Sequence, residues 1–251
     1  IPASQEQAFR EAIDEEMRVF RKLRMDGRSL WMILRIGLPA GLQSAVFAIS
    51  NIVIQSAINS LGKVVMAASS AAYNIEVFAY DVMNSYNQAC TTFVGQNYGA
   101  GQIRRCRKTL YLCLIEDAVS LGATVALVLL TGHFLLSIFN NDPQVIALGY
   151  DRLKIVFFAY IFSLLYEVMS GYLRGFGISL VPAALTALGV CGIRIAWIHF
   201  VFPQHPTLQT IMTSYPVSLS ATALMIFIAL LCYRPARKHA AMEREPAPAG
   251  N

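Results

Sequence analysis

The chain has 251 residues, of which 56% are hydrophobic and 14% charged, with 20 Lys and Arg against 15 Asp and Glu and a net charge of +5. A soluble domain is about one-quarter charged, so this composition calls for a lipid bilayer as solvent. Lys and Arg gather beside apolar runs and no recognition module accompanies them, so the basic excess reads as membrane topology and no nucleic-acid partner is expected.

Residues 4–27 set Phe9, Ile13, Met17, Phe20 and Leu23 at helical spacing among charged side chains. Two readings stand: an amphipathic helix on the membrane surface, or a solvated connector ending at Gly27. No basic segment leads into an apolar core here, so no cleavable signal is expected, and Ile1 in place of Met suggests numbering that starts inside a longer protein. Six apolar spans follow, near 30–60, 65–97, 106–131, 144–174, 179–202 and 209–233. Each reaches the ~20 residues that a hydrocarbon core of about 30 Å requires. Turn chemistry separates them at Leu61-Gly62-Lys63, Gly99-Ala100-Gly101, Asn140-Asn141-Asp142-Pro143, Gly175 to Gly177 and Pro203 to Pro206.

Basic residues cluster at Arg18 to Arg35, Arg104 to Lys108, Arg174 and Arg234 to Lys238, whereas the alternate breaks hold Lys63, with Arg152 and Lys154 farther in. Both termini of the chain should therefore be cytoplasmic, in an integral plasma or bacterial inner membrane protein. The expected fold is an all-α six-helix bundle over 29–234, preceded by a connector over 1–28 and followed by a cytoplasmic tail over 235–251 that is expected to be disordered.

Polar side chains inside spans are costly, so they mark a bundle interior or a wet cavity. Span one carries Gln43, Asn51, Gln55 and Asn59, and span two carries Asn74, Asp81, Ser85, Gln88 and Thr92 on one helical face. A shared substrate cleft (Gln43, Asn51, Gln55, Asn74, Ser85 and Gln88) competes with interhelical hydrogen bonding as the explanation. Pro39 kinks or loosens the first turns of span one. Among ionisable groups, Asp81 lies near the middle of span two, and Glu167 in span four has no obvious basic partner, although Arg174 stands two turns on. A buried carboxylate tends to hold a proton or acquire a cation, which suits cation or proton coupling. Glu116 and Asp117 could instead pair with Arg194 inside the bundle, and Glu76 is expected to be solvated at the cavity mouth.

Cys90, Cys106, Cys113, Cys191 and Cys232 form no CxxC pair and read as small core residues. His133, His199, His205 and His239 have no ligand spacing, so neither a metal nor another cofactor is expected. No nucleotide or hydrolase fingerprint occurs. An intramembrane enzyme would need paired catalytic groups, and the adjacent Glu116 and Asp117 splay apart by about 100° on a helix.

The stretch Phe93-Val94-Gly95-Gln96-Asn97-Tyr98-Gly99-Ala100-Gly101 resembles the signature of the multidrug and toxic compound extrusion (MATE) family. Gly37-Leu38-Pro39 resembles the start of that family's seventh helix, Gly171 to Gly177 resembles the end of its tenth, and Arg194 matches an arginine of its eleventh. The resemblance implies the second six-helix lobe of a twelve-helix secondary transporter that exports small organic, often cationic, compounds in exchange for Na⁺ or H⁺. The missing partner would be the homologous N-terminal lobe. It also gives gating or structural roles to Pro39, Gly95, Gln96, Asn97, Gly99, Arg174 and Gly175. One branch of the family has a Glu in helix seven, where Gln43 stands here, and an Asp in helix ten, where Ser163 stands with Glu167 one turn on. A lipid-linked oligosaccharide flippase and a non-transporting membrane scaffold are the competing functions.

Overall fold

The computed structural model describes residues 26–235, so nearly all of the connector over 1–28 and of the tail over 235–251 lies outside the described residues. These residues form six long helices: α1 (Gly27–Ser60), α2 (Lys63–Gly99), α3 (Ile103–Phe139), α4 (Pro143–Gly175), α5 (Leu180–Phe200) and α6 (Leu208–Tyr233). No strand occurs among the described residues. By length and composition α3 to α6 and the Gly41–Ser60 part of α1 can each cross a membrane. The remaining helix, α2, is 37 residues long but less apolar, because Asn74, Glu76, Asp81, Asn84, Asn87 and Gln88 run through its middle. At a rise of about 1.5 Å per residue it far exceeds a hydrocarbon core of about 30 Å.

Two compact units divide the chain, residues 1–38 and 39–251. In the first, the Arg28 backbone N–H donates to Asp26 Oδ1 at 3.4 Å, and Trp31, Ile33 and Leu38 are exposed. In the second, α4 occupies the centre, packed against α2, α3 and α6. It begins where the sequence places a stop and a start: Asp142 Oδ1 accepts from the Gln144 N–H at 2.8 Å, and Pro143 fills the first helical position.

Small residues let α2 and α4 approach closely. A Cβ on Gly171 would stand 2.5 Å from Asn87 O, and one on Gly175 would stand 2.6 Å from Val94 Cβ. This is the small-xxx-small contact of membrane bundles. Thr91 Oγ1 closes the seam by donating to Gly171 O at 3.2 Å. Nearer the other end of the same helix pair, Arg152 of α4 meets Glu76 of α2, Nε to Oε1 at 2.7 Å and Nη2 to Oε2 at 2.9 Å. Glu76 is 3% exposed, so the expectation of a solvated group at the cavity mouth is corrected: a guanidinium from another helix satisfies the carboxylate inside the bundle.

The fifth helix is not regular. Residues Ala187–Gly192 form a π-helical turn between α-helical Leu180–Thr186 and Ile193–Phe200. Gly189 there lies against Thr222 and Met225 of α6. Farther along, Trp197 Nε1 donates to Thr210 O at 2.9 Å, tying α5 to α6.

Candidate functional site

A cavity of about 500 Å³ opens among α1, α2, α4, α5 and α6. Its α2 wall is Tyr73, Glu76, Val77, Tyr80, Asn84 and Asn87, a spacing of three and four that keeps one helical face inward. Across from it α4 presents Tyr160, Ser163, Tyr166, Glu167 and Arg174. From α1 come Gln43, Ser44, Phe47, Ala48 and Asn51; α5 gives Arg194, and α6 gives Tyr215 and Leu219.

Glu167 is the buried acid of this cavity that no basic side chain ion-pairs among the described residues, at 6% exposure. Its Oε2 accepts from Asn87 Nδ2 at 2.7 Å, and Arg174 lies within electrostatic range. Arg174 in turn donates from Nη2 to Gln43 Oε1 at 3.3 Å, which joins α4 to α1. Arg194 donates from Nε to Ser218 Oγ at 3.1 Å, and its guanidinium lies 4.0 Å from the Tyr215 ring centroid. A cation over an aromatic face is held electrostatically while its remaining donors stay available to the cavity.

The pairing of Arg194 with Glu116 or Asp117 is not formed. Arg194 turns to α6, Glu116 is exposed, and Asp117 is fully buried with neither carboxylate oxygen hydrogen-bonded among the described residues. Of the residues expected to line a cleft, Gln43 and Asn51 do so, as does Glu167 of the coupling pair. Gln55 is exposed and donates to Asn59 Oδ1 at 2.8 Å along its own helix. Asn74, Asp81, Ser85 and Gln88 are exposed and outside the cavity lining. Their stripe lies one residue out of step with the cavity face of Tyr73, Tyr80, Asn84 and Asn87, a rotation of about 100°. Tyrosines are grouped with the hydrophobic residues in a compositional reading, so the neighbouring polar stripe stands out instead; Asn84 and Asn87, three apart, are the signal that marks the cavity face.

The signature stretch builds the end of α2. Asn97 Nδ2 donates to Phe93 O at 2.7 Å, and Asn97 O accepts from the Gln102 N–H at 2.8 Å. Gly101, at φ 70°, takes the left-handed conformation that turns the chain into α3. Gly95, Gln96 and Gly99 belong to this helix end, with Gly95 against the carbonyl of Gly175 and Tyr98 beside the Phe176 ring at 5.0 Å. Pro39 lies within the helical backbone of α1. The residues of the signature stretch stand outside the cavity lining.

The MatE family profile matches residues 39–198. The chain is 28% identical over 245 residues to the multidrug resistance protein PmpM of Pseudomonas aeruginosa, covering 90% of this chain and 49% of that one. It is 22% identical over 211 residues to the probable multidrug resistance protein YoeA of Bacillus subtilis, covering 83% and 45%. Its fold is similar to an outward-facing multidrug resistance MATE family transporter of the MOP superfamily, with a TM-score of 0.74, 17% identity, and 90% and 50% of the two chains covered. The chain thus spans about half the length of the relatives it matches. An all-helical bundle of membrane-spanning helices, matched by the family profile across α1 to α5, belongs to the MatE (MATE) family of integral membrane transporters.

Proposed function

We infer that the chain supplies one six-helix lobe of a secondary multidrug antiporter, which expels organic, often cationic, compounds while Na⁺ or H⁺ moves inward. The names of the relatives and their double length support this reading. The observation that carries it is the cavity whose inner wall holds Glu167, with the carboxylate buried and held by Asn87. A group in that position exchanges a cation or proton with water entering the cavity, and its occupancy changes the charge that a substrate meets. Tyr73, Tyr80 and Tyr160 offer flat faces to aromatic or cationic substrates. One elementary charge crossing 100 mV is worth about 2.3 kcal/mol, which sustains a substrate gradient of roughly fifty-fold. Both termini of the chain face the cytoplasm in this arrangement, and the second lobe completes the cleft.

The test is drug efflux from proteoliposomes that carry the full-length transporter, with Na⁺ and pH gradients imposed separately. Efflux accelerated by one of the gradients and uncoupled from it in Glu167→Gln supports the reading. Efflux indifferent to both gradients refutes antiport, and full coupling in Glu167→Gln removes Glu167 from it. A flippase is the second reading, because Arg174 and Arg194 both line the cavity and would meet a phosphate; stimulation by lipid-linked anions in place of drugs would favour it.

A further inference from the structure

Arg194 of α5 lines the cavity and is 6% exposed. The ion pairs among the described residues are Arg152 with Glu76 and Lys154 with Asp151, so this buried guanidinium has no carboxylate of its own. Its Nε donates to Ser218 Oγ at 3.1 Å, and the Tyr215 ring centroid lies 4.0 Å from its central carbon. A guanidinium carries five N–H donors, so four remain on the two Nη atoms. Those atoms are not among the sealed polar atoms that lack a partner, which places their edge open to the cavity.

A cation held inside a membrane bundle without a counter-ion is costly, and an arriving anion relieves that cost. The acids of the same cavity are already engaged: Glu76 is held through both oxygens by Arg152, and Glu167 is held by Asn87. The planar fork of an arginine accepts two oxygens of one group at once, as carboxylates and phosphates present them. One guanidinium cancels one negative charge. A carboxylate brings one charge, whereas a diphosphate brings more and would call on Arg174 as well, which is tied to Gln43 of α1 at 3.3 Å. Phe47, Tyr160 and Tyr215 line the same cavity and give an aromatic frame faces to lie on.

We propose that Arg194 is an anion-binding subsite of the cavity, which takes the carboxylate of an aromatic substrate on its two Nη groups. Ser218 and Tyr215 are positioning residues: they occupy the Nε and one face of the guanidinium, so the free edge is the one turned to the ligand. The proposal rests on the reading of this cavity as the substrate site and adds a handle for negative charge to it. A compound with a free carboxylate is thereby told apart from its ester.

The experiment uses the full-length transporter and two fluorescent probes, a rhodamine with a free benzoate and its methyl ester, which share one cationic ring system. Binding in detergent and efflux from proteoliposomes are measured for wild type, Arg194→Lys and Arg194→Met. Each is expressed as the ratio of free acid to ester, so a general loss of activity cancels. Wild type is expected to bind the acid about tenfold tighter than the ester, with excess benzoate displacing the acid. The ratio should fall close to one in Arg194→Met and partway in Arg194→Lys, which keeps the charge and loses the fork. Wild type that binds both probes alike overturns the proposal, as does an unchanged ratio in Arg194→Met. If neither variant folds, competition in wild type decides. Displacement of the acid by benzoate supports the subsite; equal displacement by chloride, or stronger displacement by inorganic diphosphate, overturns it, the latter in favour of a lipid-linked phosphate. A preference that depends on Arg194 beside efflux indifferent to Na⁺ and pH gradients leaves the subsite standing and sinks antiport, and gradient-driven efflux without the preference does the reverse.

Discussion

Asn87 Nδ2 donates to Glu167 Oε2 at 2.7 Å, bridging α2 and α4 at a point where the two residues are only 3% and 6% exposed. The other amide atom, Asn87 Oδ1, is buried without a hydrogen-bond donor among the described residues, so the side chain is committed to the carboxylate alone. Asn87→Leu leaves a buried acid without this donor and is expected to cost about 1–3 kcal/mol of stability. Thermal unfolding in detergent would read this as a lowered midpoint; a midpoint equal to that of wild type would show that the bond carries nothing.

The ion pair of Glu76 with Arg152 predicts an asymmetry between single and double variants. Glu76→Gln strands a guanidinium that is 3% exposed, at an expected cost of about 3–5 kcal/mol. The double variant Glu76→Leu with Arg152→Met removes both charges and is expected to recover most of that loss. A double-mutant cycle of unfolding free energies measures the coupling, and purely additive losses would contradict the bidentate geometry.

Glycine positions separate contact from conformation. Gly171→Ala pushes a methyl group to 2.5 Å from Asn87 O and Oδ1, so α2 and α4 must part and the Glu167 contact must loosen. A loss of about 1–3 kcal/mol is expected. Gly122→Ala meets nothing within 4 Å in the interior of α3 and should gain about 0.5–1 kcal/mol through helix propensity. Equal melting temperatures for the two variants would refute the close-approach argument.

At the start of α4 the cap is testable on its own. Asp142→Ala removes the side chain that accepts from the Gln144 N–H and is expected to cost about 1 kcal/mol, whereas Asp142→Ser keeps an acceptor and should cost less. Unfolding midpoints of the two variants decide it.

The sequence made the helix count and most of the breaks legible, because Asp142-Pro143, Gly99 to Gly101 and Gly175 to Gly177 are local signals that need no partner. Helix ends were less legible. The apolar stretch near 106–131 becomes Ile103–Phe139, since hydropathy senses lipid depth while the hydrogen-bonded helix runs on through Arg104 and Arg105 at one end and His133 at the other. The site divided in the same way. Glu167, Gln43 and Asn51 could be found as polar groups inside spans. The partners Asn87 and Arg152 could not be assigned, because their bonds join residues 80 and 76 positions apart and the helix faces that meet are set by packing. The one-residue offset on α2 shows how narrow that margin is.

The π turn at Ala187–Gly192 sets a phase for everything after it. A wider turn holds about one residue more than an α-turn, so Arg194 points where it does because the preceding coil is loose. Substitutions that tighten these six residues to a regular α coil, with none removed, would swing the guanidinium through about 100°, off its tyrosine and out of the cavity. Span length, charge and hydropathy would hardly change, so two sequences nearly indistinguishable in composition would differ in whether a positive charge looks into the transport pathway.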